Sequence, residues 1–452
     1  MFLSNKNIGI IALALLLFTY LNLFTGLYYV SAIGAALFLL VFIKFVQDIG
    51  HKIEVRDLIA FLSIMQWVVG PILAYNVLPY DELYWMDVSE ETYMNFVVPG
   101  CLALVIGMYF PLAEERTIGI DEIERIKAYL IEHPYVGYII AAGGLATSFL
   151  SPYVPGSLGF LFKLLGSLQF VGVYMILFGN SKFKWILFSG LMGTVIMGSV
   201  LQGMFGELMN WLLFSFLVIS IVVKIPMWAK VSMISFGFVV ILLIQSTKEE
   251  YRKATWFAET SESNSEIYKQ IIMKRLSDPS TIFGSSTLEN MGARLNQGWI
   301  IARIMGNMPQ NYPFVRGETI ETAIYAGLLP RVLAPGKAMA GGRANFERFT
   351  GTPLPETTSM DISLMGEGFA NYGVTGGIVF LLIIGLFYNW IIIKVLKIAK
   401  NHPILILFVP MLFFDVIKAE TDFATIFNYL TKSALVIYLV FWGMNRVLKI
   451  NM

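Results

Sequence analysis

Six arginines stand out in a polar stretch of an otherwise apolar chain, because their side chains could bind a phosphate or diphosphate group. A guanidinium group is planar and always charged, and it holds phosphate oxygens through two parallel hydrogen bonds. The alternative is that each arginine pairs with a nearby acid. The arginines are Arg294, Arg303, Arg316, Arg331, Arg343 and Arg348, and the nearby acids are Glu318, Glu321, Glu347 and Glu356.

Two prolines lie beside two further candidate cations, in the run of residues 329–337. Pro330 directly precedes Arg331, and Pro335 precedes Lys337 by two residues. Because proline fixes φ, a turn of this kind holds the neighbouring side chains in place. The run therefore favours two positioned cations, although proline-containing turns are also common in ordinary loops.

A glycine-rich run at residues 366–373 carries a carboxylate and an amide. If the run is helical, Glu367 and Asn371 are four residues apart and share a face. Gly366 and Gly373 allow a backbone or a ligand to approach closely. A carboxylate in this position can accept a proton from a hydroxyl group. The alternative interpretation is a helix cap combined with close helix packing.

The elements that must position these residues are helices that cross a membrane. Of the 452 residues, 57% are hydrophobic and 14% are charged, whereas a soluble domain has about 25% charged residues. The apolar residues form runs of about 20, which suffice to span a bilayer core and must be helical there. The predicted fold is an all-α polytopic membrane protein with about 12 transmembrane helices. The predicted spans are residues 8–24, 27–46, 58–78, 93–110, 135–150, 158–178, 185–201, 208–223, 229–245, 374–395, 404–417 and 423–442.

Lysine and arginine in alternate short loops predict which side of the membrane each loop faces. With about 12 spans these loops all lie on one side, so both termini are predicted to be cytoplasmic. Residues 246–373 then form a large helical outer loop between two membrane regions, residues 1–245 and 374–452. An amphipathic helix near residues 119–133, with Ile123 and Ile126 on its apolar face, is expected to lie flat on the cytoplasmic membrane surface.

This topology limits the chemistry that the outer face can perform. His51, His133 and His402 all fall on the cytoplasmic side. A base on the outer side must therefore be a carboxylate, unless the reaction needs no strong base, and a histidine-ligated metal site is excluded there. The single cysteine, Cys101, lies in an apolar run, and the net charge of +1 implies no surface for nucleic acid.

Some polar residues lie within or at the edges of the predicted spans, where ionisable groups usually face a cavity or a partner. They are Gln66, Lys163, Glu207, Asp415 and Lys418. Lys163, Glu207 and Lys418 are expected near the outer side, close to the proposed site. Asp415 and Lys418 are three residues apart on one helix face, so the simple interpretation is that they pair.

From Arg316 to Gly377 the sequence resembles the Wzy-type oligosaccharide repeat-unit polymerases, also called O-antigen polymerases. The motifs that carry the resemblance are Pro330-Arg331, Pro335-Gly336-Lys337, the pair Arg343 and Asn345, and the stretch Thr357, Thr358 and Ser359. A closing pattern, Gly-Glu-x-x-x-Asn-Phe-Gly-x-x-Gly, is matched at Gly366, Glu367, Asn371, Gly373 and Gly376. Tyr372 stands where the family usually has phenylalanine, and this change keeps the aromatic ring.

The resemblance implies a glycosyltransferase on the outer face of a bacterial inner membrane. It would transfer a growing glycan from an undecaprenyl-diphosphate carrier to a hydroxyl of one lipid-linked repeat unit. Arg331 and Arg343 would neutralise the leaving diphosphate, and Glu367 would be the base or orient the acceptor. The residues implied in substrate binding are Arg294, Arg316, Lys337, Asn345 and Asn371. No metal and no cofactor is expected, and the implied partners are the lipid-linked glycans, membrane lipid, a chain-length regulator and a flippase.

Three other interpretations remain open. An O-antigen ligase-like transferase would use an outer-loop histidine, which the predicted topology does not supply. A transporter or flippase of lipid-linked sugars would concentrate polar residues and broken helices at mid-membrane. Here the polar content lies in one outer loop and near the outer boundary of the membrane. A membrane scaffold without enzymatic activity would leave the arginines and the Gly-Glu pattern without a role.

Overall fold

The regular secondary structure in the described part of the chain is entirely helical. This computed structural model describes residues 5–78, 82, 84–112, 120–202, 205–223, 225–252, 254–255, 264–278, 292, 295–328, 342–356, 358–450 and 452. The helices are α1 (Asn5–Phe24), α2 (Tyr29–Asp48), α3 (Val55–Ile64), α4 (Gly70–Asn76), α5 (Glu90–Tyr109), α6 (Ile120–Glu132), α7 (Val136–Leu150), α8 (Gly156–Gly166), α9 (Leu168–Phe178), α10 (Lys184–Gln202), α11 (Gly206–Val223), α12 (Met227–Arg252), α13 (Asn264–Ser277), α14 (Gly298–Asn307), α15 (Glu318–Leu328), α16 (Arg343–Thr350), α17 (Ser363–Ala399), α18 (Val409–Leu412) and α19 (Phe423–Arg446). A π-helical turn, Met65–Val69, joins α3 to α4, and short 3₁₀ helices occupy Ser151–Tyr153 and Pro403–Phe408.

Eight helical segments within the described residues are long and apolar enough to cross a membrane, which supports the predicted class of helical membrane protein. They are Tyr29–Asp48, Val55–Asn76, Glu90–Tyr109, Leu158–Phe178, Lys184–Leu201, Gly206–Val223, Ser363–Ala399 and Phe423–Arg446. Each overlaps one of the twelve predicted spans. The total of twelve spans stays a prediction.

One predicted span, residues 404–417, is not a continuous helix. The chain forms a 3₁₀ helix at Pro403–Phe408 and then only the short helix α18. Pro403 and Pro410 each lack a backbone N–H, and a proline ring clashes with the carbonyl four residues earlier inside an α-helix. Because Pro403 stands at the start of the 3₁₀ helix, Pro410 is the residue that explains why no continuous α-helix runs from Pro403 to Leu412.

The chain divides into two compact units. Unit 1 comprises residues 1–45, 54–117 and 293–452, and unit 2 comprises residues 46–53 and 118–292. Both units thus draw on the residues 1–245 that the sequence assigned to one membrane region. The described part of the polar stretch is shared in the same way, with α13 in unit 2 and α14 to α16 in unit 1.

In unit 1, α5 and α17 pack closely because glycines meet at their contact. A Cβ atom on Gly107 would lie 2.4 Å from the Leu382 carbonyl oxygen, and one on Gly385 would lie 2.3 Å from the Leu104 carbonyl oxygen. Small residues at such contacts let two helix backbones approach, which is a common packing device in membranes. This contact holds α17, the helix that begins with the Gly-Glu run.

In unit 2, the amphipathic helix predicted near residues 119–133 is present as α6. Its apolar residues Ile123, Ile126 and Leu130 are buried, and the helix packs against α9. The face expected to rest on the bilayer surface is therefore covered by protein. Lys163 and Glu207 form an ion pair at 3.2 Å within the same unit.

Candidate functional site

The glycine-rich run forms a short helical arm at the start of α17. The helix from Ser363 is interrupted at Gly373, whose φ of 67° and ψ of −161° are not helical, so α17 has an arm before Gly373 and a long apolar segment after it. A side chain at Gly373 would be strained at this positive φ and would meet the Phe314 ring. Glycine is required at this position by the kink.

Asn371 joins the arm to the segment that carries Arg316. Its Nδ2 atom donates to the Thr319 hydroxyl at 2.8 Å, and its Oδ1 atom accepts the Gly317 N–H at 2.9 Å. The backbone of the arm adds two more bonds, from the Val315 and Arg316 N–H groups to the Ala370 and Asn371 carbonyls. The amide of Asn371 is therefore used within the protein, where it fixes the backbone on both sides of Arg316.

Arg316 is held with its charge available. Its φ of 51° places it in the left-handed region, which costs a non-glycine residue about 1–2 kcal/mol. The residue is exposed, and its guanidinium forms no hydrogen bond or ion pair with any residue that the structure describes. Ser363, at the start of the arm, also has a positive φ, of 60°. Strained backbone of this kind tends to concentrate at functional sites.

Glu367 lies inside the arm and is completely buried. Its Oε2 atom accepts the Phe423 N–H at 2.7 Å, so the carboxylate caps the N-terminus of α19. A negative charge is favoured there because the first N–H groups of a helix lack partners within it. Its other oxygen, Oε1, accepts no hydrogen bond from a described residue. The helix cap that the sequence offered as an alternative is therefore present.

Asp361 is a carboxylate that the sequence argument did not single out. Its Oδ1 atom accepts the Gly342 N–H at 3.0 Å, at the start of α16. Burial, and then the charge of Asp422, raise the pKa of Asp361 from its ordinary value of 3.8 to about 7. It is only partly buried. A partly accessible carboxylate with such a pKa can accept a proton near neutral pH.

No pattern in the sequence distinguishes Asp361 from the other acids of the polar stretch. The relevant contact, with Asp422, joins positions 61 residues apart, and the same region holds the Glu420 carbonyl that accepts the Ser363 N–H. The only local signal is that Asp361 lies six residues before Glu367, just ahead of the arm.

Three arginines of the polar stretch have partners, as the sequence alternative proposed. Arg343 donates to Glu347 at 3.1 Å and to the Leu354 carbonyl at 2.9 Å, which fixes the turn after α16. Arg348 forms two bonds, of 2.7 and 2.8 Å, with Glu318. Arg303 lies 3.8 Å from Asp87 and stacks over Trp299. Through these contacts the three arginines stabilise the fold.

The carboxylates paired with Arg348 and Arg343 have lowered pKa values. Hydrogen bonding from Arg348 lowers the pKa of Glu318, while the Leu354 N–H and then Arg343 lower the pKa of Glu347. Both carboxylates are thus kept charged. Arg343 therefore contributes to the turn in this structure, which leaves Arg316 as the described arginine with a free charge beside the arm.

Other predicted site residues take different positions. Asn345 is half-buried on α16, two residues after Arg343. Lys418 donates to Asp415 at 2.6 Å, which confirms that these two residues pair. Arg294, Arg331 and Lys337 lie outside the described residues.

Within the described part of the chain, no group of three or more histidine, cysteine, aspartate or glutamate side chains is arranged to hold a metal ion. Comparisons with protein-family models, with curated proteins and with solved structures gave no match to this chain. The assignment of a function therefore depends on the motifs and on the geometry around Arg316, Asp361 and Glu367.

Proposed function

We propose that this protein is a membrane glycosyltransferase that polymerises undecaprenyl-diphosphate-linked oligosaccharide repeat units. The observation that carries the proposal is the arm of α17. The Gly-Glu-x-x-x-Asn pattern forms one short helix, which ends at the positive φ of Gly373. Through Asn371 it holds the backbone beside Arg316, which is exposed and has no partner among the described residues. The residues of the family pattern are thus joined by contacts to a free cation of the kind that a diphosphate requires.

In the proposed reaction, the bond between the anomeric carbon of the growing glycan and its diphosphate breaks, and the diphosphate leaves with the electron pair. Arg316 neutralises the charge that develops on the diphosphate. The acceptor hydroxyl oxygen bonds to the anomeric carbon, and its proton passes to Asp361. Glu367 is too deeply buried to meet the acceptor, so we assign it a positioning role, as the cap that fixes α19 beside Asp361.

The wider proposal retains the predicted topology. About 12 spans, cytoplasmic termini and an outer position for residues 246–373 would place Arg316 on the face where lipid-linked units are polymerised. The cations Arg294, Arg331 and Lys337 belong to the same proposal, as further ligands of the diphosphate, and the reaction is proposed to need no metal.

The test is extension of repeat units by the purified full-length protein in lipid nanodiscs. Undecaprenyl-diphosphate-linked repeat units from its own host would be supplied, with and without a chelator. We expect a ladder of longer glycans that survives chelation. Variants Arg316→Ala and Arg331→Ala are expected to lose the ladder, whereas the matched variant Arg348→Ala retains it. Unextended units with folded wild-type protein, or full activity in both loss variants, would overturn the proposal.

A further inference from the structure

Helix α15 turns two different faces to its surroundings. Thr319 and Ala323 are buried, and α15 packs on α19. A Cβ atom on Gly327 would lie only 2.5 Å from the Phe427 ring of α19. The small residues at positions 319, 323 and 327 therefore form the packed face of the helix, since residues four apart lie on one side.

The opposite face of α15 carries large apolar side chains that the protein leaves uncovered. Ile324, Tyr325 and Leu328 are 39%, 62% and 61% exposed. With Tyr372 they line a groove of about 460 Å³, which is completed by Gly317, Ile320 and Glu321. Apolar surface of this size, gathered in one concave place, usually marks a binding site.

One end of the groove adjoins Arg316, which has no partner among the described residues. Gly317, which lines the groove, follows Arg316 directly, and its N–H is held by Asn371. The Tyr372 hydroxyl lies 2.9 Å from where a Cβ atom of Gly317 would be, so Tyr372 lies beside Gly317 at that end. The mainly apolar groove therefore begins next to the exposed Arg316, whose backbone is fixed.

We infer that this groove holds the first isoprene units of a lipid diphosphate, with the diphosphate at Arg316. The inference rests on the proposed function and adds to it the place where the carrier lipid lies. A charged head joined to a long apolar chain matches both parts of the site. An ordinary phospholipid matches less well, because its phosphodiester carries a single negative charge, whereas a diphosphate brings more charge and more acceptor oxygens to Arg316.

The test measures binding of undecaprenyl diphosphate to the full-length protein in nanodiscs, with Ile324→Trp as the groove-filling variant. The matched control is Ile383→Trp, because Ile383 is an exposed isoleucine, 56% accessible, on the apolar part of α17 and does not line the groove. Filling the groove removes contact worth at least two methylene groups, so we expect about ten-fold weaker binding for Ile324→Trp. The control should bind as the wild type does.

Two further measurements separate the head from the tail. Inorganic pyrophosphate should compete equally well in the wild type and in Ile324→Trp, but less well in Arg316→Ala. Raising the share of an anionic phospholipid, phosphatidylglycerol, in the nanodisc should not displace undecaprenyl diphosphate. Unchanged affinity in Ile324→Trp, equal loss in Ile383→Trp, or displacement by the phospholipid would overturn the inference.

The inference and the proposed function fail in different ways. If the wild type extends repeat units while Ile324→Trp extends them with an unchanged KM, the groove is refuted and the polymerase proposal stands. If the wild type does not extend repeat units but binds undecaprenyl diphosphate in the groove, the lipid site stands and the polymerase proposal is refuted.

Discussion

Unit 1 uses charge in two contrasting ways. In the cluster of Lys44, Glu54, Arg56, Asp57, Tyr109 and Asn389, which we call the Arg56 cluster, the charges are paired. Lys44 donates to Asp57 at 2.6 Å, and the buried Arg56 lies 3.4 Å from Glu54 and 3.3 Å from the Asn389 oxygen. Arg316, by contrast, is exposed and has no partner among the described residues.

The difference follows from the cost of burying a charge. A buried guanidinium without a partner would be strongly destabilising, and Arg56 has Glu54 and the Asn389 oxygen as acceptors. An exposed guanidinium remains hydrated and needs no protein partner, so Arg316 can be kept for a ligand. At Arg316 the unfavourable free energy comes instead from the strained backbone, which Asn371 holds in place. Four predictions test this contrast, from the largest expected effect to the smallest.

The largest effect is expected from Arg56→Ala, which removes the cation that lies 3.4 Å from the buried Glu54. We expect the free energy of unfolding to fall by about 3–5 kcal/mol. The measurement is unfolding in mixed detergent micelles, followed by tryptophan fluorescence. The control is Lys52→Ala, which removes a more exposed pair with Asp48, at 3.4 Å, and should cost no more than about 1 kcal/mol. Equal losses in the two variants would contradict the structural role of the Arg56 cluster.

For Arg316→Ala we expect kcat for glycan extension to fall about 10²–10³-fold, as for the loss of one group that stabilises transition-state charge. Stability should stay within about 0.5 kcal/mol of the wild type, because a free surface charge is removed. Arg348→Ala should show the opposite pattern, with stability lower by up to about 1 kcal/mol and turnover per folded molecule retained. A loss of stability in Arg316→Ala equal to that in Arg348→Ala would show that Arg316 is also structural.

Asp361→Asn should lower kcat about 10²-fold at neutral pH, as expected for loss of a general base. The Asp361 pKa of about 7 also predicts the direction in which turnover and stability change with pH. Turnover in the wild type should rise as pH increases through 7, because Asp361 then loses its proton. The free energy of unfolding should fall as pH rises from about 4 to 7, because the folded state binds this proton more tightly than the unfolded state does.

The Asp361→Asn variant should lack both of these pH trends, which titrations of turnover and of unfolding would measure. A wild-type pH profile that survives in the variant would assign the proton to another group.

The smallest effect is expected from Arg316→Gly. Glycine accepts the left-handed backbone without strain but adds freedom to the unfolded chain, so we expect a net gain in stability of about 0.5–1 kcal/mol. Turnover should be as low as in Arg316→Ala. Melting temperatures of the two variants in one detergent provide the comparison. A less stable Arg316→Gly would mean that the strain at Arg316 is not significant.

Several features of the site were predictable from local spacing. The separation of four residues between Glu367 and Asn371 predicted a shared helix, and both residues lie on the arm of α17. The separation of three residues predicted that Asp415 and Lys418 pair, and they do. The pairing of arginines with nearby acids was also foreseen as an alternative, and Arg343 with Glu347 is such a pair, four residues apart on one helix.

Other features could not be predicted because they depend on contacts between distant segments. Asn371 bonds to Gly317 and Thr319, more than 50 residues earlier, and Glu367 bonds to Phe423, 56 residues later. No local pattern shows that Arg348 pairs with Glu318, 30 residues earlier, while Arg316 has no partner among the described residues. The bilayer-facing role expected for the apolar face of α6 failed for the same reason, because α9 covers it.

By itself, the sequence determined the class of protein, because apolar runs of this length must pair their backbone groups internally and so form helices in lipid. It also determined where the polar stretch lies and which residues within it could bind a diphosphate. Only the tertiary structure decided which of them are free to do so. Arg316 has no partner among the described residues, whereas Arg343 is held by Glu347 and Leu354 and Arg348 by Glu318, because the fold brings acceptors to some guanidinium groups and not to others.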